Sequence, residues 1–254
     1  MSEHSSRVIL ELRAAKDSLT TYENFVHFLA SLKSSLRTSF WKQLFGDLDT
    51  VTLELACLDQ TVYFIITCPP HLEPIVRAQI TAQYPDSLVT HMQDYIEPWL
   101  THNFQSVAQM RLAGPNYLPL NIMKAVSPDP MSAILGALSK VPTQQAAIIQ
   151  IVLSGAPNGW ANKGRAVMIN GISTDPLKKE QHPQKTLIEQ KLAMPAFNAD
   201  IRISTVSKDQ ATADSLLNQL SASFGIYGVA EANSLKPKVM KGGAKAKLLK
   251  AMIT

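Results

Sequence analysis

Apolar and polar positions alternate most regularly between Val51 and Cys68, where two runs, VTLELACL and TVYFIITC, flank Asp59 and Gln60. With that pair as a two-residue turn, Leu55 lies opposite Phe64, Leu53 opposite Ile66 and Val51 opposite Cys68. The register puts Leu53, Leu55, Phe64 and Ile66 on one face, which is expected to be buried under helices at 22–36 and 72–84. Thr52, Glu54, Tyr63 and Thr67 fall on the other face, which is expected to meet water or a partner.

The elements before and after this hairpin follow from the same periodicities. Val8, Leu10 and Leu12 alternate with polar neighbours as in a half-buried strand. Thr20-Thr-Tyr-Glu23 is a capping box, and Phe25, Phe28, Leu29, Leu32 and Leu36 then recur at helical spacing. Pro69-Pro70 opens a second helix, with Leu72, Ile75, Val76 and Ile80 along one side, and Pro85 closes it. Residues 87–94 read as a fourth strand. The order βαββαβ is that of a ferredoxin-like unit, an antiparallel sheet with both helices on one face.

Residues 100–235 repeat the order. Strands are expected at 104–112, 146–153, 199–206 and 227–233. One helix is capped by Asp129 and carries Met131, Ile134, Leu135 and Leu138; the other is opened by a Ser207-x-x-Gln210 box, carries Leu216, Leu217, Leu220 and Phe224, and stops at Gly225. The sequence therefore predicts an α+β chain of two tandem ferredoxin-like βαββαβ units, at 1–99 and 100–235, followed by a basic linker at 236–254. The second unit holds a long insertion at 154–198, expected to be an exposed basic excursion, mostly loop at 155–171 with a helix near 186–194. Asp94-Tyr-Ile-Glu-Pro-Trp99 reads as the junction, with Tyr95 and Trp99 wedged between the units.

Charge changes this picture only at the C-terminus. The 254 residues carry 24 Lys and Arg against 20 Asp and Glu. Six of those lysines, Lys236, Lys238, Lys241, Lys245, Lys247 and Lys250, follow Ser234 with no acidic residue among them, so the body before them is slightly acidic. These six are the candidate contacts for phosphate or a partner; the body does not have the charge of a nucleic-acid groove. No apolar run is long enough to span a membrane, and a cytoplasmic chain, in one version peripheral at the inner membrane, is expected.

Candidate chemistry is sparse. Gly159-Trp-Ala-Asn-Lys-Gly164 has the spacing of a phosphate loop, but Arg165 and Ala166 stand where a lysine and a hydroxyl are needed. Cys57 and Cys68 read as small core residues, and the six histidines are not at ligand spacing. No catalytic, cofactor-binding or metal-ligating residue is assigned, and the chain is not expected to be an enzyme.

Five stretches carry a resemblance: AQITAQYP at 78–85, QDY at 93–95, NYLPL at 116–120 with Asp129-Pro130, AAIIQIVL at 146–153 followed by Trp160, and the segment 199–233 ending at Asn233. Together they resemble the N-terminal region of conjugation-type secretion or coupling ATPases, relatives of the HerA and FtsK motors, over most of residues 7–235. In that family the region precedes a motor domain with Walker motifs, which is absent from this sequence up to Thr254. The resemblance implies a non-catalytic scaffold or assembly domain of a type IV secretion or DNA-translocation ATPase. Its expected partners are a motor domain encoded downstream or supplied in trans, secretion-machinery subunits and further copies of itself. The competing reading is a nucleic-acid-binding module of tandem ferredoxin-like units acting through the basic tail.

Overall fold

The hairpin forms as its alternation requires. In the computed structural model, which describes residues 7–15, 22–36, 49–100, 104–121, 130–172 and 180–253, β2 (Val51–Leu58) pairs with β3 (Thr61–Cys68), Leu53 opposite Ile66 and Leu55 opposite Phe64. Asp59 and Gln60 both have positive φ, 48° and 66°, the mirror-image turn that matches the twist of a two-residue hairpin. The Asp59 carboxylate accepts a hydrogen bond from the Gln144 amide at 2.9 Å, tying this turn to the one before the sixth strand.

Around the hairpin the described residues form one antiparallel sheet of eight strands. The others are β1 (Val8–Arg13), β4 (Leu88–His91), β5 (Phe104–Leu112), β6 (Ala146–Gly155), β7 (Phe197–Ser207) and β8 (Leu235–Val239), in the spatial order β4-β1-β3-β2-β6-β7-β5-β8. The two halves of the chain meet where β2 pairs with β6 in register from Val51 opposite Leu153 to Leu58 opposite Ala146. This central position explains the almost unbroken apolar run of β6, since a strand with neighbours on both sides and cover on both faces has no wet side.

Among the described residues, four helices cover one face of the sheet. Phe28, Leu32 and Leu36 of α1 (Tyr22–Ser35) and its following turn pack with Val76 and Ile80 of α2 (Glu73–Gln83) over Leu10, Val51 and Ile66. Ile134 and Leu138 of α4 (Pro130–Leu138) pack with Leu217 and Leu220 of α7 (Gln210–Ser223) over Ala108, Ile149 and Ile203. Phe64 lies between these two helix layers and is 45% exposed, so it is not the core residue its register position suggested.

The opposite face is also covered, which corrects the expectation that all helices lie on one side. Helix α3 (Ile96–Leu100) and helix α8 (Gly242–Ile253) bring Tyr95, Ile96, Leu248 and Met252 onto Ala56, Ile65, Val107, Ile148 and Val206. Thr52, Glu54 and Thr67, placed on a wet face by the sequence, are buried there. The stretch read as a basic linker thus forms β8, hydrogen-bonded to β5, and then α8. The last strand is Leu235–Val239 and not 227–233, because Phe224–Tyr227 extends α7 as a 3-10 turn and residues 228–234 form the connection.

Two smaller expectations also change. The N-cap of α7 is Asp209, whose carboxylate accepts from the Thr212 amide at 2.8 Å; it displaces the Ser207 box by two residues. Residues 155–171 are not mostly loop: helix α5 (Gly159–Asn170) fills them and packs against α6 (Lys185–Ala193), with Ala161 and Ile188 buried. Thr20, Thr21 and Asp129, the other expected caps, lie outside the described residues.

The burial pattern predicts unequal costs for two neighbours on one strand. Ile66→Ala is expected to lose about 2–5 kcal/mol in denaturant unfolding, and Phe64→Ala about 1 kcal/mol or less. Equal losses would show that Phe64 is covered in solution.

Candidate functional site

A row of polar side chains crosses the sheet and meets the end of α8. Glu54 on β2 is the register partner of Gln150 on β6, Gln150 that of Arg202 on β7, and Arg202 that of Gln109 on β5. Since registered partners point to the same face, one transverse line carries all four side chains.

Glu54 is 5% exposed and forms one end of this row. Its Oε1 accepts from the Thr67 hydroxyl at 2.6 Å, and its Oε2 accepts from the Tyr95 hydroxyl at 2.5 Å and from Gln150 Nε2 at 3.1 Å. Tyr95 is held for this by its own neighbourhood: Asp94 Oδ1 accepts from the Ile96 amide at 2.9 Å and starts α3 directly after it. Burial pushes the Glu54 carboxyl up from the usual glutamate range, against the three donors and the positive charge of Arg7, which pull it down. Burial, and then the Glu54 carboxyl beside it, push the Tyr95 phenol up, so Tyr95 keeps its proton and donates.

The other half of the row holds the end of α8. Gln150 Nε2 also donates to the Met252 carbonyl at 3.1 Å, and Arg202 Nη1 donates to the Ala251 carbonyl at 2.6 Å. Helix C-termini leave their last carbonyls without intrahelical donors and carry partial negative charge, so an amide and a guanidinium satisfy both needs. Arg202 is oriented by Asp200, which accepts from Arg202 Nε at 2.8 Å and from Gln109 Nε2 at 2.6 Å. Arg7, just ahead of β1, donates to the carbonyl and the hydroxyl of Thr50 at 3.1 and 3.0 Å. With these bonds made, the arrangement can bind the end of α8 and hold a carboxyl in a dry site.

Five of the six candidate lysines lie in two elements, and Lys241 lies between them. Lys236 and Lys238 project from the edge strand β8, opposite Arg111 and Gln109 of β5. Lys241 precedes α8, which carries Lys245, Lys247 and Lys250; of these, Lys245 Nζ donates to the Gln105 carbonyl at 2.5 Å. On β8, lysines flanking Pro237 also protect an edge from adding another strand.

The insertion makes a second polar cluster. Lys191 Nζ donates to the Asn116 and Leu118 carbonyls at 2.6 and 2.9 Å and lies 5.8 Å from the Trp160 ring centre. Burial lowers its pKa. Asn233 holds the same loop from the other side: its Oδ1 accepts from the Gly114 amide at 2.9 Å and its Nδ2 donates to the Pro115 carbonyl at 2.9 Å. Beside Lys191, Pro119, Leu120 and Asn121 line a depression of about 200 Å³. The glycines with phosphate-loop spacing are within α5, where Gly164 lets the helix approach Tyr117 and Leu192 closely. Cys57 and Cys68 are free thiols in the core. Among the described residues, no group of three His, Cys, Asp or Glu side chains is placed to hold a metal ion.

Residues 1–239 match the family described as "Domain of unknown function (DUF8128)". The chain belongs to this family. No curated protein matches it. The match runs from the N-terminus to the end of β8, so Glu54, Tyr95, Gln150 and Arg202 fall inside the DUF8128 region and α8 follows it. Sequence reasoning missed this site. Gln150 is a polar residue inside an apolar strand and Glu54 an acid inside a hairpin, but only the pairing of β2 with β6 shows that they face each other.

A raised folded-state pKa means that the DUF8128 fold holds the Glu54 proton more tightly than the unfolded chain does. That contribution is complete below the ordinary glutamate range and is lost as pH rises through the raised value. Glu54→Gln removes the titration, so the wild type is expected to lose stability relative to this variant as pH rises above the ordinary glutamate range, measured by urea unfolding across a pH series. A difference that does not change with pH would contradict the raised value.

Proposed function

We propose that this chain is a non-catalytic assembly domain of a type IV secretion or DNA-translocation ATPase, built from two ferredoxin-like βαββαβ units joined edge to edge. The strand order supports the two-unit reading. From one edge inward it runs fourth, first, third, second as β4-β1-β3-β2, and from the other edge it runs the same way as β8-β5-β7-β6. The second strand of each unit then forms the join.

The observation that carries the non-catalytic reading is the use made of the polar row. The hydrogen bonds around Glu54, Gln150 and Arg202 are made to Thr67, Tyr95, Asp200 and the end of α8, which fits a site that holds the molecule together. The stretches that resemble the motor family occupy structural positions of the same kind: 146–153 is the seam strand β6, 116–120 is the loop gripped by Lys191 and Asn233, and Trp160 lies against Lys191. Such a rigid platform suits contact with a motor domain, in cis or in trans, with secretion subunits and with copies of itself, on the cytoplasmic side of the inner membrane.

One observation favours the second reading, a nucleic-acid-binding module. Exposed Lys236, Lys238 and Arg111 share one face of the sheet beside α8, whose Lys247 and Lys250 are also exposed. The two readings separate in one experiment. The purified chain is mixed with the motor ATPase of the same genome's conjugation or secretion system, and in parallel with a DNA oligonucleotide at increasing salt. A stoichiometric complex with the motor, with no ATP hydrolysis by the chain alone, is expected. No complex with the motor, together with DNA affinity that falls steeply with salt, would overturn the assembly reading in favour of the second.

A further inference from the structure

The β8 edge of the sheet carries an electrostatic cost that no described residue offsets. Lys236 of β8 stands directly opposite Arg111 of β5, and Lys238, two residues along on the same face, stands opposite Gln109. Like charges placed opposite each other destabilise a sheet, and all three cationic side chains are exposed. Among the described residues none of the three makes an ion pair. Arg111 donates through Nε and Nη2 to a neutral acceptor, Gln109 Oε1, at 3.2 and 2.9 Å. Asp200 on the neighbouring β7 is committed to Arg202 Nε and Gln109 Nε2. The sequence after Glu231 holds no acid, so neither β8 nor α8 supplies one.

The geometry of this edge also defines what would offset the charge. Lys236 and Lys238 are two residues apart on one strand, so their Cα atoms are about 6.6–6.8 Å apart, close to the separation of successive phosphates along an extended nucleic-acid strand. The Met240 amide donates to the Val107 carbonyl, which makes 109–238 and 111–236 the hydrogen-bonded pairs and turns Pro237 outward. The outer edge of β8 therefore lacks an N–H at its middle and is a poor template for an added strand, so a partner meets the side chains of the face. The exposed apolar residues of the two strands, Phe104, Leu112 and Val239, fall on the opposite face by alternation. The cationic face thus has no apolar side chain from these strands to insert into a bilayer and no ring on which a base could stack, and what it offers is three donors for phosphate.

We propose that Arg111, Lys236 and Lys238 form a strip that binds the phosphodiester backbone of a single nucleic-acid strand, without regard to its base sequence. Phosphates between Arg111 and Lys236 replace a repulsion across the two strands by two attractions, and Lys238 takes the next phosphate along. The proposal rests on the nucleic-acid reading above and narrows it to three side chains, and it is compatible with assembly on a motor, which it does not require.

Fluorescence anisotropy of labelled oligo(dT) with the full chain, across a salt series, tests this. Three phosphate contacts on a single strand predict a slope of log K against log salt of about −2, and Arg111→Gln, Lys236→Gln and Lys238→Gln are each expected to reduce its magnitude by about 0.7. Lys33→Gln and Lys163→Gln, exposed on α1 and α5, are expected to change nothing. Urea unfolding supplies a second readout: removing one of two opposed cations is expected to leave the midpoint of Lys236→Gln no lower than that of the wild type. A lower midpoint would make the strip structural and overturn the proposal. Oligo(dT) binding with a slope unchanged in all three variants would overturn it too, and would leave the nucleic-acid reading with a different site. No binding at low salt would overturn both. Binding of phosphatidylglycerol vesicles or polyglutamate in place of oligo(dT) would overturn the choice of a nucleic-acid strand.

Discussion

A carboxyl group enclosed between two half-sheets is the constraint on which the rest of this molecule depends. Glu54 sits on the strand where the first half ends its sheet, opposite Gln150 on the strand where the second half begins, and almost none of its surface reaches water. An unpartnered carboxylate in such a place would be prohibitively unfavourable, so the fold must bring donors to it or leave the seam open. It brings three, each from a different element: Thr67 from the hairpin partner, Tyr95 from the turn before α3 and Gln150 from the second half. Meeting the needs of one group thus fixes three relationships: hairpin register, the position of α3, and the alignment of β2 with β6.

The same row explains why the second face of the sheet is closed. Gln150 has a donor for Glu54 and a donor for α8, and Arg202 supplies the charge that a helix C-terminus favours. Without α8 the apolar residues Ala56, Ile148, Val107 and Val206 would lose their cover, and Leu248 and Met252 contribute about 1.5–3 kcal/mol each by covering them. This is a modest stabilisation for one helix, and the Gln150 and Arg202 bonds to its last carbonyls add to it.

Much of the fold was legible because its elements obey local rules. The alternation of Val51 to Cys68 dictates the hairpin register, and the stripes Phe28-Leu32-Leu36 and Leu216-Leu217-Leu220 dictate buried helix faces. What was not legible depends on pairing across long distances in sequence. Nothing local distinguishes Thr52-x-Glu54 on a wet face from the same residues beneath a helix that begins almost two hundred residues later. Lys236-Pro-Lys238 has the composition of a linker, yet Leu235 and Val239 register with Leu112 and Ala108 and make it an edge strand. Gly159 and Gly164 look like loop residues but belong to a helix, and Gly164 lies where α6 brings Leu192 into close packing. Phe64 errs in the opposite direction: its register is right, but it falls between two helix layers and remains half open.

The central claim is that the Glu54 row makes the two half-sheets one cooperative body. Native-state hydrogen exchange under mild denaturant measures this most directly, because it reports a separate opening free energy for each strand. The account predicts that the slowest amides of β1 and β3, in the first half, and of β5 and β7, in the second, share one opening free energy and one denaturant slope. Two distinct values, with one half opening while the other stays protected, would contradict it.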